Sequence, residues 1–307
     1  MKISTTLYFD RATQQMGNVQ ANLSKVQEQM STGLQIVKPS DAPDKAALVT
    51  RIESELSRQT SYQDTLKAVN VRLTAQETAL TNTSDVLYRI KELSTQAAND
   101  TLSKADRQSV AVELGALREQ IMSLGNSQDS NGNYLFSGSK ASTPPYAKDA
   151  TGAVYYQGDQ ARMKVNVGDS RRMNLNMPGS DAFVRVVRDD GKGAQTGVDF
   201  FQALDDLVTA VKSSDYSNIQ RGISEVDGLQ QGVSEGLAQI GTDLTVVDMQ
   251  NSVLDEVVLR LKATRSDVED LDYTEAITRM NKDQLALQAA QSGFAKISQL
   301  SLFNYIK

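Results

Sequence analysis

Residues 219–261, "IQRGISEVDGLQQGVSEGLAQIGTDLTVVDMQNSVLDEVVLRL", decide the fold class that we expect for this chain. Apolar side chains recur there at alternating intervals of four and three residues, and only Gln230 and Asn251 are polar members of the series. Such spacing predicts a long helix that buries a narrow apolar stripe against other helices. The two polar residues have two interpretations: tolerated positions in a bundle layer, or side chains that fix the register of the helices. The apolar members are Ile219, Ile223, Val226, Val233, Leu237, Ile240, Leu244, Val247, Leu254, Val258 and Leu261.

The first half of the chain carries a similar pattern. Residues 44–114 contain neither Gly nor Pro, and a periodic run of this length predicts a helical rod. The segment 98–106 is predicted to be a turn, because Asn99 and Asp100 favour local side-chain hydrogen bonds over helix. A second helix is expected to follow and to end near Gly125. The apolar register of the first helix comprises Tyr62, Leu66, Val69, Leu73, Leu80, Leu87 and Ile90, with Gln76 and Thr83 as polar members.

Both ends of the chain carry shorter apolar series, which we call the N-terminal seam and the C-terminal seam. A solvated terminus gains nothing from such residues, so each seam predicts a helix that packs against a partner. The N-terminal seam comprises Ala12, Met16, Val19, Leu23, Val26 and Met30. The C-terminal seam comprises Ile277, Met280, Leu287, Ala290, Phe294, Ile297, Leu300, Leu302 and Phe303. The segment "KPSDAPD" (38–44) lies between the N-terminal seam and the predicted helical rod. Pro39 and Pro43 prevent a continuous helix there, and we expect a hinge-like connector.

The middle of the chain has a different character. Residues 153–177 alternate apolar and polar side chains around Gly-Asp turns, which is typical of short strands. We therefore predict a small β-rich insert over 138–196. Tyr155 and Tyr156 are adjacent in this region, so one is expected in the core and the other on the surface. The "DSNGN" segment (129–133) lacks the Gly and the acid that a calcium loop needs at its sixth and twelfth positions, and it is predicted to be a turn.

Composition excludes several classes of function. The 307-residue chain has no Cys and no His, which removes thiol nucleophiles, imidazole bases and thiolate zinc sites. Its net charge of −6, without a basic block, does not suit a nucleic-acid binder. No apolar run is long enough for a membrane span, and the first residues do not resemble a Sec signal peptide. We expect no catalytic, cofactor or metal site, although carboxylate or Ser-Lys chemistry in the insert stays open as an alternative.

These features predict a mainly α fold: an elongated antiparallel helical bundle, or coiled-coil rod, in which the N- and C-terminal halves pack together. The expected organisation has three parts. Residues 1–40 and 265–307 form a terminal coiled-coil core layer, residues 41–137 and 197–264 form a helical rod domain, and residues 138–196 form the β-rich outer insert.

Two segments now indicate a family. "LSKVQEQMSTGLQIVKPSDAPDKAAL" (23–48) resembles the N-terminal signature of the bacterial flagellin family, and "DYTEAITRMNKDQLALQAAQSGFAKISQLSLFNYI" (272–306) resembles the C-terminal one. "SNGNYLFSGSK" (130–140), together with "KPSDAP" in place of the usual Ala-Lys-Asp-Asp stretch, is more similar to the hook–filament junction branch of that family.

The resemblance implies a structural adaptor rather than an enzyme. It implies that the protein is exported unfolded through the flagellar type III apparatus, folds outside the cell and joins the hook to the filament. Implied partners are other copies of the chain in a ring, a neighbouring hook-associated junction protein, flagellin, and a cytoplasmic chaperone that guards the C-terminal segment before export. A flagellin that forms the bulk filament is the alternative, against which the "NYLFSG" segment and the Phe-Asn-Tyr ending speak.

Energetics favour assembly through both seams. Burial of a Leu, Ile or Phe side chain contributes about 1.5–3 kcal/mol, whereas ordering the backbone costs about 1–2 kcal/mol per residue. Two terminal helices with narrow seams are therefore marginal alone. We expect residues 5–30 and 275–305 to be weakly ordered in the free monomer and ordered by neighbouring subunits.

Overall fold

The computed structural model describes residues 2–189 and 195–303, with side chains described for residues 7, 9–188 and 195–296. The fold is mainly helical, as predicted. Its helices are α1 (Lys2–Thr32), α2 (Pro43–Ala97), α3 (Lys104–Gly125), the short α4 (Gly179–Ala182), α5 (Phe200–Ser213), α6 (Tyr216–Glu269) and α7 (Tyr273–Phe303), with a 3-10 turn at Pro39–Asp41.

The β-rich region lies between α3 and α5 and consists of three separate antiparallel strand pairs rather than one sheet. Strand β1 (Tyr146–Lys148) pairs with β2 (Val154–Tyr156), β3 (Lys164–Asn166) with β4 (Arg172–Asn174), and β5 (Val186–Asp189) with β6 (Gln195–Val198). The third pair encloses the Gly-rich stretch at which the predicted insert ends. Part of that stretch, residues 190–194, lies outside the described residues.

The chain folds as two compact units. The first comprises Met1–Gln59 with Glu256–Lys307, and the second comprises Thr60–Asp255. Both boundaries fall inside long helices, and the strand pairs belong to the second unit together with α3 and α5. The three-part division that the sequence suggests stays a prediction, because these two units do not separate a terminal layer, a rod and an insert.

Helices α2 and α6 run antiparallel in the second unit. Gln63 bonds Asp255 at 2.6 Å near one end, and Lys91 pairs with Asp227 at 2.6 Å further along. Their burial follows a seven-residue period. On α6 the buried series, 3% exposed or less, is Ile219, Val226, Val233, Ile240, Val247 and Leu254. On α2 two such series are buried, Leu66, Leu73, Leu80, Leu87 and Val69, Gln76, Thr83, Ile90, Ala97.

The alternate members of the predicted α6 series are less buried than their spacing suggests. Ile223, Gln230 and Leu237 are half-buried, and Asn251 is exposed. The buried polar residue of this region is instead Gln250, whose Nε2 donates to the carbonyl of Val167 at 3.1 Å. The interpretation that Gln230 and Asn251 fix the register of the helices is therefore not supported at Asn251, because Asn251 is exposed.

The turn between α2 and α3 forms where the sequence predicts it. Ser103 caps α3, with its hydroxyl accepting from the N–H of Asp106 at 3.2 Å. The buried Arg107 donates back to the carbonyls of Ala97 at 3.1 Å and Asn99 at 2.9 Å. Ala97 is the last residue of α2, where carbonyls lack helical partners, so Arg107 satisfies this carbonyl and the end of the helix favours its positive charge. The Asn99 carbonyl also accepts from the N–H of Leu102 at 3.1 Å.

Buried polar side chains of α2 anchor the segment that leads into the strand pairs. Gln76 Nε2 donates to the carbonyls of Leu135 at 2.8 Å and Met177 at 2.9 Å, and its Oε1 accepts from the N–H of Met177 at 3.3 Å. Arg72 donates to the carbonyl of Tyr134 at 2.8 Å and pairs with Asp129 at 3.1 Å. Polar side chains of α2 therefore hold the "NYLFSG" segment in place. In the sequence these residues only interrupt the apolar pattern of the helix.

The "DSNGN" segment is a turn, as predicted. The Asp129 carboxylate accepts from the backbone N–H groups of Asn131 at 2.8 Å and Asn133 at 3.0 Å. Partial burial of this carboxylate acts to raise its pKa, but the amides of Asn133 and Asn131 and the Arg72 guanidinium outweigh burial and hold the pKa below its usual range. Asp129 thus acts as a local capping group.

Candidate functional site

Helices α1 and α7 pair antiparallel within the first unit. The rings of Phe9 and Phe294 meet edge to face with centroids 5.4 Å apart, which places the start of α1 beside the later part of α7. At the other end of the pair, Val26 packs in a small cluster with Leu271 and Ala276. Met30 and Met280 pack against the same cluster. The two ends of the chain therefore satisfy part of their apolar surface against each other.

The structure places the N-terminal seam along one face of α1. Val26 is buried, and the other five members are half-buried, whereas the residues between them from Asp10 to Glu28 are exposed. Gln29 is an additional buried residue, and its Nε2 donates to the carbonyl of Gln35 at 2.6 Å. The seam is thus shielded only in part by its own chain.

The C-terminal seam differs from the prediction at its first member. Met280, Leu287, Ala290 and Phe294 are half-buried, but Ile277 is 43% exposed. Ala276 takes the place of Ile277 and is completely buried, because the contacting series runs back from Met280 by four residues rather than three.

Asp283 fills the predicted gap in this register and is half-buried. Because Asp283 is charged, apolar spacing does not identify it as a member of the seam. Four further predicted members, Ile297, Leu300, Leu302 and Phe303, have side chains outside the described residues.

The two connectors that enter and leave the terminal pair bind each other through their backbones. The N–H of Gln35 donates to the carbonyl of Glu269 at 2.7 Å, and the N–H of Leu271 donates to the carbonyl of Gly33 at 2.9 Å. Gly33 has a φ of +74°, a conformation that ends α1 and that few other residues adopt. The break in the seam at Gly33 indicated the helix end, but nothing in the sequence indicated the pairing with 269–271.

The predicted hinge prolines both begin helical turns. Pro39 is the first residue of the 3-10 turn and Pro43 is the first residue of α2. A missing N–H is harmless at such positions. Between them, Asp41 accepts from the N–H of Lys38 at 3.1 Å and pairs with Lys25 of α1 at 2.7 Å. The hydrogen bonds from the Lys25 side chain and the Lys38 backbone lower the pKa of Asp41.

Several apolar side chains of the terminal helices face outward. Leu285 is 69% exposed, Leu7 is 50% exposed and Ile277 is 43% exposed. Tyr273, at the start of α7, is also half exposed, although its hydroxyl donates to the carbonyl of Met30 at 3.3 Å. The terminal pair thus leaves apolar side chains of both α1 and α7 exposed.

The described part of the chain offers little for chemistry at these helices. Across residues 2–189 and 195–303 no cluster of three or more carboxylates is arranged to hold a metal ion. Within the same ranges, no helix combines the length and hydropathy that a bilayer-crossing segment requires.

Fold and site together define a helical structural protein that pairs its two chain ends and carries a small β-rich insert. The chain belongs to the bacterial flagellin family. Residues 3–141 match the bacterial flagellin N-terminal helical region, and residues 223–306 match the C-terminal helical region. The two matches together span more than half of the chain.

Relatives agree with this membership over the full length. The chain is 28% identical to the flagellar hook-associated protein 3 of Salmonella typhimurium, with 99% of each chain covered. It is 22% identical to flagellin B of Vibrio anguillarum, with 97% of each covered. Among solved structures, a putative flagellar hook-associated protein from Vibrio parahaemolyticus has a similar fold, with a TM-score of 0.67 and 24% identity over 75% of this chain and all of that one.

Proposed function

We propose that this chain is a non-catalytic adaptor of the bacterial flagellum that joins the hook to the flagellin filament. Similarity over the whole length to a protein named flagellar hook-associated protein 3 supports this assignment. In this proposal, copies of the chain form a ring through α1 and α7. One side of the ring contacts another hook-associated junction protein, and the other side contacts flagellin.

The composition of the first unit's core is the observation that carries the proposal. Among the described side chains of this unit, only five apolar residues are buried. The second unit contains all residues of the large contiguous core. A long helix pair with so little buried apolar area gains too little to be stable alone, since each fully buried large side chain contributes only about 1.5–3 kcal/mol. The five residues are Val26, Val49, Ile52, Leu271 and Ala276.

The seams and the outward residues have separate roles in this proposal. The N-terminal seam packs first against α7 and then, with the C-terminal seam, against neighbouring copies. Ile277 and Leu285 supply apolar area that only another molecule can cover. Residues 1–40 and 265–307 would then form the inner layer of the assembly, with the rod outside it and the insert outermost.

A deletion of the gene tests the function. Loss of an adaptor should leave a finished hook from which flagellin monomers leak into the medium. Complementation with the Leu285→Asp variant should restore export of the protein but not retention of the filament, because an exposed side chain can change without harm to the fold. The matched control is Gln284→Asp, which adds the same charge at the neighbouring exposed position without loss of apolar area. A deletion strain with normal filaments and no leaked flagellin would contradict the proposal.

A flagellin that forms the bulk filament is the second candidate. The flagellin B similarity, at 22% identity over nearly the full length, keeps this alternative open to experiment. The purified chain distinguishes the two functions. A filament protein polymerises alone into long fibres, whereas an adaptor stays as monomers or short oligomers until its neighbours are added.

The route to the junction is part of the same proposal. The chain would reside in the cytoplasm before export, leave unfolded through the flagellar type III apparatus, and act outside the cell. A cytoplasmic chaperone would cover the C-terminal segment, whose exposed Leu285 and half-exposed Tyr273 offer it apolar contacts. Removal of residues 265–307 should then abolish co-purification of the chaperone with the chain while leaving the second unit folded.

A further inference from the structure

The first unit contains a groove whose lining is positively charged. It lies between α1, the chain that joins α1 to α2, the start of α2, and α7, and it has a volume of about 490 Å³. Four lining residues are cationic and two are acidic, so the lining has a net charge of +2, although the whole chain has a net charge of −6. We call this site the basic groove. Its charged residues are Lys25, Asp41, Lys45, Arg279, Lys282 and Asp283.

Contacts within the first unit fix one wall of the basic groove. Lys25 of α1 and Asp41 neutralise each other at 2.7 Å. The buried Gln29 donates from its Nε2 to the carbonyl of Gln35 at 2.6 Å. These contacts hold the chain that follows α1 against the helix, so the wall keeps its position without an occupant.

Two cations of the groove have no anionic partner among the described residues. The exposed Lys45 donates to the neutral amide oxygen of Gln35 at 3.1 Å and forms no ion pair there. Lys282 is exposed and forms neither an ion pair nor a hydrogen bond with the described part of the chain. Arg279 has only a long contact, in which its Nε lies 3.7 Å from the carboxylate of Glu275. The groove therefore favours an anionic partner.

The most acidic stretch of the chain lies at the same end of the first unit. Residues 267–275, "DVEDLDYTE", contain five carboxylates and no cation, and no separate stretch of nine residues contains more than three acids. We call this stretch the acidic segment. Asp267 and Asp270 are exposed, and neither forms an ion pair within the described ranges. The N–H of Gln35 donates to the carbonyl of Glu269, so the acidic segment lies beside the groove wall, but none of its residues lines the groove.

The position of these two surfaces makes a second copy of the chain the partner that fits. In a ring formed by rotation, the same end of every copy lies at the same level. Two different surfaces at that end can therefore meet between neighbours, and such a head-to-tail contact repeats around a closed ring. The acidic segment supplies the negative charge that the basic groove lacks, at the level where the groove lies.

We propose that the acidic segment of one copy binds in the basic groove of the next copy, with Asp267 and Asp270 paired to the cations of that groove. This contact presupposes the ring of the function proposed above and identifies the surfaces that join its copies. Because the contact joins unlike surfaces, every copy in the ring uses both of them. Complementary charges of this kind fix which faces meet and exclude other arrangements.

Cross-linking in assembled flagella tests the contact, and the absence of Cys from the native chain makes thiol chemistry specific. A deletion strain expresses two single-substitution chains together, Lys282→Cys and Asp270→Cys, and its purified flagella are treated with a short bismaleimide. Dimers of the chain should form, identified by their joined peptides, and no larger species should appear because each copy carries one thiol. Either chain expressed alone should give no dimers, since unlike positions meet in the contact.

Charge reversal tests the ionic basis of the contact. One variant carries Lys45→Glu with Lys282→Glu, and a second carries Asp267→Lys with Asp270→Lys. Each should leak about tenfold more flagellin into the medium than the native chain, because like charges then face each other. All four substitutions in one chain should restore retention of the filament, since both sides of every contact are then reversed.

A matched control and a folding measurement accompany these variants. Arg51→Glu with Lys262→Glu reverses two exposed cations of the same unit outside the groove and should leave retention unchanged. Thermal unfolding of the second unit should be the same in all of these chains, because every substituted residue belongs to the first unit.

The outcomes separate this contact from the proposed function. Flagella that contain the chain but give no dimers would overturn the contact and leave the adaptor function standing, and so would a fourfold variant that fails to restore retention. Cross-links to flagellin or to another junction protein in place of dimers would assign the groove to that partner and also overturn the contact. Absence of the native chain from purified flagella would overturn the adaptor function, and the contact with it.

Discussion

Two buried polar side chains in the core of the second unit differ in which parts of the chain they hydrogen-bond. Gln76 and Thr83 occupy the same buried row of α2, one heptad apart, and both are completely buried. Gln76 bonds three backbone groups at Leu135 and Met177. The Thr83 hydroxyl donates at 2.8 Å to the carbonyl of Ala79 on its own helix. Gln76 therefore connects distant segments, whereas Thr83 serves only its own turn.

Replacement of these two residues should have unequal effects. Gln76→Met keeps the side chain's size but leaves the buried carbonyl and N–H of Met177 unpaired, at about 1–3 kcal/mol for each group, so we expect a loss of about 3 kcal/mol. Thr83→Val should change the free energy of unfolding by about 1 kcal/mol or less, because the Ala79 carbonyl keeps its helical hydrogen bond. Urea denaturation measures both variants. Equal effects would show that Gln76 does not anchor the insert.

A glycine just before the strand pairs has a left-handed backbone conformation and packs closely against another segment. Gly138 has a φ of +70°, and a Cβ there would overlap both the carboxylate and the backbone of Asp159. The Gly138→Ala variant should therefore lose more than the about 1–3 kcal/mol expected for the left-handed backbone alone. Gly152→Ala is the matched control, since Gly152 has a φ of +89° and nothing within 4 Å of its Cβ position. If thermal unfolding shifts equally in both, the contact with Asp159 is not tight.

At the scale of elements, glycines on α6 decide how closely the insert approaches the helix. Gly228, Gly232 and Gly236 recur at intervals of four residues and form a ridge without side chains. A Cβ at Gly228 would meet Val186, and one at Gly232 would overlap Val184. The chain between α4 and β5 therefore packs directly on the backbone of α6.

Two alanine substitutions on α6 should have effects of opposite sign. Gly232→Ala should destabilise the second unit by about 1–3 kcal/mol, because the added methyl displaces Val184 from a packed core. Gly241→Ala should stabilise it by about 0.5–1 kcal/mol, because nothing lies within 4 Å of that position and Ala favours helix. Chemical denaturation gives both values. A neutral Gly232→Ala would mean that the segment can shift away from the helix without cost.

The whole molecule combines one well-packed unit with one that is only partly buried. In dilute monomer, amides of residues 9–30 and 275–296 should therefore exchange much faster than those of residues 66–97 and 219–254. The physical reason is that helices with few buried apolar contacts open locally at low free energy. Hydrogen exchange followed by mass spectrometry measures both sets in the same sample. Equal protection of the terminal helices and the core helices would contradict assembly-dependent ordering.

The prolines of the connector provide a test in the assembled flagellum. Replacement of Pro39 and Pro43 by Ala should change the free energy of unfolding of the monomer only slightly, because each proline begins a helical turn and Ala is tolerated there. If the connector adjusts the angle between layers, swimming speed or filament shape should change in a strain that carries both substitutions. A Lys38→Ala variant is the control, since it alters the same connector without a change in backbone freedom of that size. Normal motility together with normal filaments would remove the hinge role.

Regular periodicity made the long helices and the family predictable from sequence. The seven-residue rows of α2 and α6, the turn before Lys104 and the two family signatures all depend on local spacing, which survives in any packing arrangement. The pairing of α1 with α7 follows from matching seams at both ends, together with the order helix, insert, helix. The third strand pair was not foreseen, because its strands flank a Gly-rich stretch and carry little alternation.

Sequence alone determined that this chain is helical, carries an insert and belongs among flagellar structural proteins, because heptad spacing and signature motifs are local properties. Tertiary structure decided which polar residues matter. The attachment of Leu135 and Met177 to Gln76, the placement of Ala276 rather than Ile277 in the seam, and the basic groove of the first unit depend on residues far apart in the chain. Spacing along one helix cannot reveal them, since hydrogen bonds and packing form between segments that only the fold brings together.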